Sequence, residues 1–281
     1  MLTPDSDRLL FLNELSAQLY TLSIRICTDG FVCLIETLSE QNHSDNNDSI
    51  YVACPLSTGK TLQDSFYEYP FLTLPYSKVF VHYHPLSFVL IPSGLNGIDE
   101  KGWWGLAASN PQDKGQQEVQ SYSIEIGLPT LICSWTASTQ SFILRTYPGV
   151  VSTPTTLTLC KEAIKCSRTS HKRIIAAELF AASVDILICH SGQLLFANSY
   201  SWPASSETYN HLQQVLYFIG LVMSTTEDFA QHSGDVILLH DGECAQNKKT
   251  IQTIKSLVHH FSNSLWEVQI ANLFESQNLN D

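Results

Sequence analysis

The chain has 281 residues, of which 44% are hydrophobic and 15% are charged, so it is long enough to build two folded domains. Its 27 acidic residues outnumber its 15 basic residues, which gives a formal net charge of −12. Because this charge repels phosphate backbones and anionic membrane surfaces, nucleic acid is excluded as a general partner.

The N-terminal residues and the cysteines indicate a cytoplasmic protein. Residues 1–20 carry Asp5, Asp7 and Glu14 and lack the cationic region and apolar core of a secretory signal. No window approaches the 18 uncharged apolar residues that a membrane span requires, so membrane insertion is not expected. The eight cysteines lie mostly in apolar runs without a Cys-x-x-Cys pair, which is typical of small buried side chains in a reducing compartment.

The first half of the chain opens with a predicted β-hairpin. Apolar runs over residues 22–35 flank the turn Thr28-Asp29-Gly30, and Asp-Gly is a strong hairpin signal. The other elements predicted for this half are strands over residues 49–54, 78–84, 87–91, 119–126 and 130–135 and helices over residues 61–69 and 139–147. Pro148-Gly149 then indicates a domain boundary near residue 150.

An irregular segment over residues 92–117 interrupts this half and contains the adjacent Trp103 and Trp104. Exposed tryptophans are costly unless something covers them, so the segment is either a partner-binding surface or a loop whose indoles pack on their own domain. Trp103 and Trp104 are therefore candidate interaction residues, and both alternatives stay open.

The second half, residues 151–281, contains a clearer pattern. Its first predicted elements are a helix over residues 155–167 and strands over 172–180, 184–189 and 194–200, the last two joined by the turn His190-Ser191-Gly192-Gln193. A helix over 205–222, a strand over 235–240, a helix over 248–261 and a strand over 265–270 follow.

Strands that alternate with helices require a mixed sheet flanked by helices, so the fold class is α/β. Residues 1–150 begin in the same order, with three strands, a helix and a strand, and then depart into a β-rich excursion. The sequence therefore predicts a duplicated architecture with two domains, 1–150 and 151–281.

A repeated βββαβαβ unit in two domains resembles the layout of the actin-like ATPase superfamily, which has a ribonuclease-H-like fold. The chain resembles more closely a family of uncharacterised bacterial proteins assigned this fold, over roughly residues 9–272. The matching segments are Leu22–Arg25, Asp29-Gly30-Phe31, Gln193–Tyr200, the helix over 207–222 and the strand Val236–Leu239 with Asp241-Gly242 after it.

The resemblance implies where a nucleotide would bind. In active members of the superfamily, two hairpin turns hold the nucleotide phosphates through backbone amides, usually with an acid for magnesium or the attacking water, and a Gly-rich turn receives the adenosine. Carried over to this chain, the first phosphate turn is Thr28, Asp29 and Gly30. The second is His190, Ser191 and Gly192, and the adenosine turn is Asp241-Gly242. Mg-ATP is the cofactor that the resemblance implies.

This sequence departs from the superfamily pattern at two of the three turns. The second turn has no carboxylate, and Asp185 lies at the far end of its strand. The adenosine turn has one glycine, followed by Glu243. Because phosphoryl transfer needs a metal and a positioned water, an intact ATPase is not expected, and no catalytic residue is assigned. Asp29 has a second interpretation, as the preferred residue of a hairpin turn.

His82 and His84 are two apart on a predicted strand and so face the same side. They could bind a metal if a third ligand converged, but no residue nearby in sequence supplies one, so a structural role is favoured and no metal site is assigned.

Two functions of different classes stay open. One is a non-catalytic actin-like module that binds a protein partner or associates with itself. The other is a nucleotide-binding ATPase or kinase with unusual site residues. The first is favoured because the scaffold is retained while two of the turns have lost their characteristic residues.

Overall fold

The computed structural model describes residues 12–38, 49–56, 59–95, 102, 104, 117–180, 183–202, 211–225, 236–242, 248–262 and 267–270.

These residues contain thirteen strands and five α-helices. The strands are β1 (Tyr20–Cys27), β2 (Gly30–Thr37), β3 (Ile50–Pro55), β4 (Lys78–Tyr83), β5 (Ser87–Ile91), β6 (Gln117–Ser123), β7 (Thr130–Thr136), β8 (Ser152–Pro154), β9 (Arg173–Leu179), β10 (Ser183–His190), β11 (Gln193–Ser201), β12 (Val236–Asp241) and β13 (Glu267–Ile270). The helices are α1 (Leu62–Phe66), α2 (Ala137–Thr146), α3 (Thr155–Ser170), α4 (His211–Thr225) and α5 (Lys248–Ser262).

Two five-stranded sheets repeat the same topology. Their strand orders are β3-β2-β1-β4-β8 and β11-β10-β9-β12-β13. Each begins with an antiparallel meander of three strands and continues with two parallel strands. The predicted α/β class and the actin-like order of elements are therefore confirmed. By position in the sheet, β9 is the counterpart of β1, β10 of β2 and β11 of β3.

The β-rich excursion forms a third sheet, with the order β5-β7-β6. Alternate residues of β7 contact different cores, as the period of a strand requires. Leu131 and Cys133 pack with α3 and the second sheet, whereas Ile132 packs with Trp104. Trp135 at the end of β7 stacks on Tyr83 of the first sheet, with ring centroids 4.2 Å apart. The third sheet thus connects the two halves.

Helices cover the second sheet on both faces. Val215, Ile219 and Val222 of α4 and Ile254 and Leu257 of α5 pack on one face. Leu159 and Ile164 of α3 pack on the opposite face. The buried residues of α4 therefore lie on one face of the helix.

One strand that the sequence did not predict, β8, lies just beyond residue 150 and completes the first sheet by pairing with β4. Of the seven cysteines that the structure describes, six are buried and Cys166 is half-buried, as expected for small apolar side chains. No helix among the described residues is long and apolar enough to cross a membrane.

Candidate functional site

A buried ion pair joins the two halves where β1 and β9 end. Arg25 lies near the end of β1, and Glu178 lies near the end of β9. Arg25 Nη2 donates to Glu178 Oε1 at 2.5 Å, and the two side chains are 8% and 0% exposed. Thr155, the first residue of α3, donates its hydroxyl to Glu178 Oε2 at 3.4 Å. Burial raises the pKa of Glu178, whereas the Arg25 cation and the Thr155 hydroxyl favour its charged form and oppose that shift.

A second buried carboxylate, Asp185, lies beside Glu178. The two residues are directly opposite in the β9–β10 register, so their side chains share one face of the sheet. His84 follows β4 of the first sheet, and its Nδ1 lies 3.9 Å from Asp185 Oδ2. One ligand atom each from His84, Glu178 and Asp185 lie within 4.8 Å of one another. Within the described part of the chain, the Asp185 oxygens and His84 Nδ1 have no hydrogen-bond partner.

Burial determines the protonation of this cluster. Burial raises the pKa of Asp185 to about 8, the charge on Glu178 adds to this, and nearby hydroxyls oppose it. Burial lowers the pKa of His84 to about 3, and the charge on Arg25 adds to that shift. At neutral pH, therefore, a neutral imidazole lies beside a protonated carboxyl.

A third polar residue, His240, extends the row across the central strands. It is opposite Glu178 in the parallel β9–β12 register and is fully buried. Its Nε2 lies 3.5 Å from Glu162 Oε2 of α3. Burial lowers the pKa of His240 to about 3 and raises the pKa of Glu162 to about 7. The face of the second sheet that α3 covers thus carries a continuous polar row, Asp185, Glu178 and His240.

Phe180 and Gly242 close the end of the second sheet beside this row. The Phe180 ring is 1% exposed, and its centroid lies 3.9 Å from that of His84. The Gly242 amide donates to the Leu179 carbonyl at 2.8 Å. A Cβ at Gly242 would lie 2.2 Å from Phe180 Cε1, so a glycine is required here by close packing.

A family model described as a protein of unknown function, DUF3822, matches residues 11–261. The chain belongs to the DUF3822 family. No curated protein matches it.

Two solved structures are similar to this DUF3822 protein over nearly its whole length. One is a protein of unknown function with an actin-like ATPase fold from Bacteroides thetaiotaomicron VPI-5482. It has a TM-score of 0.70 and 21% identity, over 96% of this chain and 100% of that one. The other is a PilM-PilN type IV pilus biogenesis complex, with a TM-score of 0.53 and 12% identity, over 92% of this chain and 90% of that one. The fold of the DUF3822 chain is therefore the actin-like ATPase fold.

The acids of the first predicted turn and of the predicted adenosine turn both lie close enough to Cys27 to influence its pKa. Thr28 and Asp29 form the turn directly after β1, and Gly30 opens β2. Burial raises the pKa of the Cys27 thiol to about 12, Arg25 opposes this shift, and Asp29 and Asp241 are among the charges that add to it. Both acids therefore lie near Cys27, and Gly242 is adjacent to Asp241.

The structure does not bring Ser191 and Gly192 to this site. His190 pairs with Arg173 at the start of β9, and the Gly192 amide donates to Ser167 Oγ near the end of α3. Glu178 lies five positions after Arg173 along β9, which is roughly 17 Å of strand. The counterpart of the Thr28-Asp29 turn is instead the connection between β9 and β10. The choice of the His190–Gly192 turn for the second phosphate position is thereby corrected.

Trp104 is 6% exposed and packs against Ile91 and Ile132. Its indole therefore packs on its own domain and is not an exposed contact surface. Trp103 lies outside the described residues.

Sequence reasoning missed the roles of Arg25, Glu178 and Asp185 in this DUF3822 protein. Each is a charged residue with apolar neighbours in a largely buried strand. Charged side chains are almost never fully buried unless they are paired, so this pattern is itself a signal for a buried polar cluster.

Proposed function

We propose that this protein is a non-catalytic actin-like module that binds a protein partner or a second copy of itself. The observation that carries the proposal is the Arg25–Glu178 ion pair, which fills the junction between the ends of β1 and β9. In active members of the superfamily, the turns after these strands hold the nucleotide phosphates. Here the acid at the junction is already paired with the chain's own arginine and is fully buried, so it lacks the surrounding water that a magnesium ion usually keeps.

The packing around the ion pair supports the same conclusion. Phe180 is buried against His84 and leaves no room for a Cβ at Gly242. Asp185 is fully buried and, with its raised pKa, protonated at neutral pH. Magnesium usually keeps several waters and ionised oxygen ligands, and a dry protonated carboxyl is a poor partner for it.

The similarity to a PilM-PilN type IV pilus biogenesis complex supports a role in protein binding. That structure contains an actin-like chain in a protein assembly, and the fold alone is shared with this chain. The scaffold can therefore support partner binding in the absence of turnover.

The alternative function is nucleotide binding with unusual site residues. Asp29 and Asp241 favour it, because these acids come from the two halves and both act on Cys27. In that case, Asp29 would contribute to phosphate or magnesium binding from the first turn.

The melting temperature of the purified full chain, with and without millimolar Mg-ATP, distinguishes the two functions. We expect no shift. A ligand at about 100 times its dissociation constant adds roughly 2.7 kcal/mol of stability, which is a rise of a few degrees for a chain of this size. Such a rise that disappears in Asp29→Ala and persists in the control Ser191→Ala would establish nucleotide binding and overturn the proposal.

The mass of the same protein in solution, measured by light scattering over a range of concentrations, tests self-association. A mass that rises with concentration to that of a dimer or larger assembly supports a second copy as the partner. A monomeric mass throughout excludes self-association and leaves a different protein as the partner.

A further inference from the structure

We propose that His84, Glu178 and Asp185 bind a divalent transition-metal ion of the zinc type at the junction of the two halves. This inference goes beyond the proposed function and does not depend on it. One ligand atom from each residue already lies within 4.8 Å of the others. Ligand atoms around a tetrahedral zinc are roughly 3.3–3.5 Å apart, so side-chain movements of about 1.5 Å or less complete the site.

Three buried polar atoms of the cluster, both Asp185 oxygens and His84 Nδ1, have no hydrogen-bond partner among the described residues. Asp185 is 0% exposed, and among the described residues neither of its oxygens has a hydrogen-bond partner of good geometry, although the Ser199 and Thr156 hydroxyls lie close enough to lower its pKa. His84 is 13% exposed, and its Nδ1, the atom that faces Asp185, is also without a partner. Buried polar atoms are normally satisfied, and an ion that joins these two side chains satisfies them together.

Glu178 can serve as a ligand and keep its existing contacts. An ionised carboxylate offers about four lone-pair sites, of which Arg25 and Thr155 use two. A carboxylate shared between an arginine and a metal is held in one orientation, which favours a preformed site.

The donor set selects the class of ion. One imidazole nitrogen and two carboxylate oxygens suit zinc and neighbouring transition metals, whereas calcium and magnesium prefer oxygen ligands alone. Three protein ligands leave one tetrahedral position, which the second oxygen of Asp185 or a water can fill.

The charges around the cluster also fit a divalent cation. When ionised, Arg25, Glu178, Asp185 and Asp241 carry one positive and three negative charges, a net of −2. Asp241 acts on both Arg25 and Glu178, so it belongs to the same group of charges. One divalent ion neutralises the group, and a proton on Asp185 is the competing state that the ion displaces.

Metal binding here would lock the two halves together. His84 follows the first sheet, while Glu178 and Asp185 belong to the second. An ion that binds this arrangement and not the unfolded chain stabilises the folded protein.

The test uses the full chain after removal of metals with a chelator. Zinc is titrated by calorimetry, cobalt is titrated by its visible absorption, and the melting temperature is measured with and without zinc. We expect one ion per chain, a cobalt spectrum typical of a tetrahedral site, and a melting temperature a few degrees higher. Absence of zinc binding, or magnesium binding as tight as that of zinc, overturns the proposal.

Two ligand variants and two controls locate the ion. Asp185→Asn and His84→Gln should each weaken zinc binding by about a hundredfold or more. The double variant His259→Gln/His260→Gln on α5 and the variant Cys166→Ser remove other zinc-binding groups and should bind as the original chain does. Zinc binding that survives both ligand variants, or that disappears in either control, overturns the proposal. If Asp185→Asn fails to fold, His84→Gln decides.

Discussion

At the scale of single residues, the strongest energetic consequence follows from the ion pair between Arg25 and Glu178. Both side chains are almost fully buried, so removal of Arg25 leaves the Glu178 carboxylate without water and with only the Thr155 hydroxyl as a partner. We expect Arg25→Met to lower the free energy of unfolding by about 3–5 kcal/mol. Chemical denaturation in the presence of a chelator measures this loss. The double variant Arg25→Met/Glu178→Leu should recover most of it, because an apolar pair needs no compensation.

The exposed pair between Arg168 and Glu125 provides the control. Their atoms lie 2.8 Å apart, but the side chains are 54% and 39% exposed. Glu125→Gln should therefore cost less than about 1 kcal/mol. Equal losses for the buried and the exposed pair would contradict the role assigned to Arg25.

The close packing around Gly242 leaves no room for a side chain. A Cβ there would lie 2.2 Å from Phe180 Cε1 and 2.7 Å from the Leu179 carbonyl oxygen. Because Phe180 is packed on His84, Gly242→Ala should destabilise the protein by about 1–3 kcal/mol. Gly220→Ala is the matched control, since Gly220 is exposed within α4 and has no atom within 4 Å of a Cβ. It should stabilise by about 0.5–1 kcal/mol, and a similar change in both variants would contradict the packing argument.

At the scale of elements, the end of α3 carries a strained residue. His171 terminates this helix with φ 56°, in the left-handed region that favours glycine. We expect His171→Gly to raise the free energy of unfolding by about 1 kcal/mol and His171→Val to lower it. Thermal denaturation of the two variants checks this prediction. Identical melting temperatures would show that residue 171 does not keep its left-handed backbone conformation in solution.

The order of the elements could be predicted from the sequence because each strand carries a local signal. Asp29 and Gly192 indicate hairpin turns, and the apolar periods distinguish strands from helices. The correspondence between hairpins could not be predicted in the same way. The true counterpart of the Asp29 turn is the connection between β9 and β10, residues 180–182, which begins with Phe180 and contains no glycine. The turn at Gly192 has the stronger sequence signal. The strand Ser152–Pro154 was missed because three residues ending in proline carry no alternation.

At the scale of the whole molecule, the candidate site depends on contacts that local patterns do not encode. Arg25 and Glu178 are 153 residues apart in sequence, and His84 reaches Asp185 only because the two sheets meet at the ends of β1 and β9. The charges inside apolar strands indicate that partners exist. The identity of those partners depends on how the two halves pack against each other, which local sequence patterns do not show. For this reason the sequence alone did not identify Glu178 and Asp185 as ligands beside His84.

This docking also makes the stability of the metal-free molecule depend on pH in two opposite ways. The pKa of Asp185 is raised to about 8, so its contribution to stability is full below the pKa of the unfolded chain and is lost as the pH rises through about 8. The pKa values of His84 and His240 are lowered to about 3, so their contribution is present above the unfolded value near 6.5 and is lost as the pH falls towards 3. With the pKa of Glu162 also raised to about 7, these shifts roughly balance between about pH 4.5 and 6.5, and the free energy of unfolding should fall above about pH 6.5.

The fall in the free energy of unfolding above about pH 6.5 is due mainly to ionisation of Asp185. Between pH 6.5 and 8, the unfolded chain has released the aspartate proton while the folded chain retains it, so the free energy of unfolding should fall by roughly 1–2 kcal/mol. Asp185→Asn cannot ionise and should remove most of this decline, leaving the smaller part due to Glu162, whose pKa is raised to about 7. Denaturation midpoints at pH 6.5, 7.5 and 8.5, measured with a chelator present, test the difference. If the decline is equally steep in both proteins, the carboxyl of Asp185 is ionised in the folded state, and its burial between the two halves must be smaller in solution.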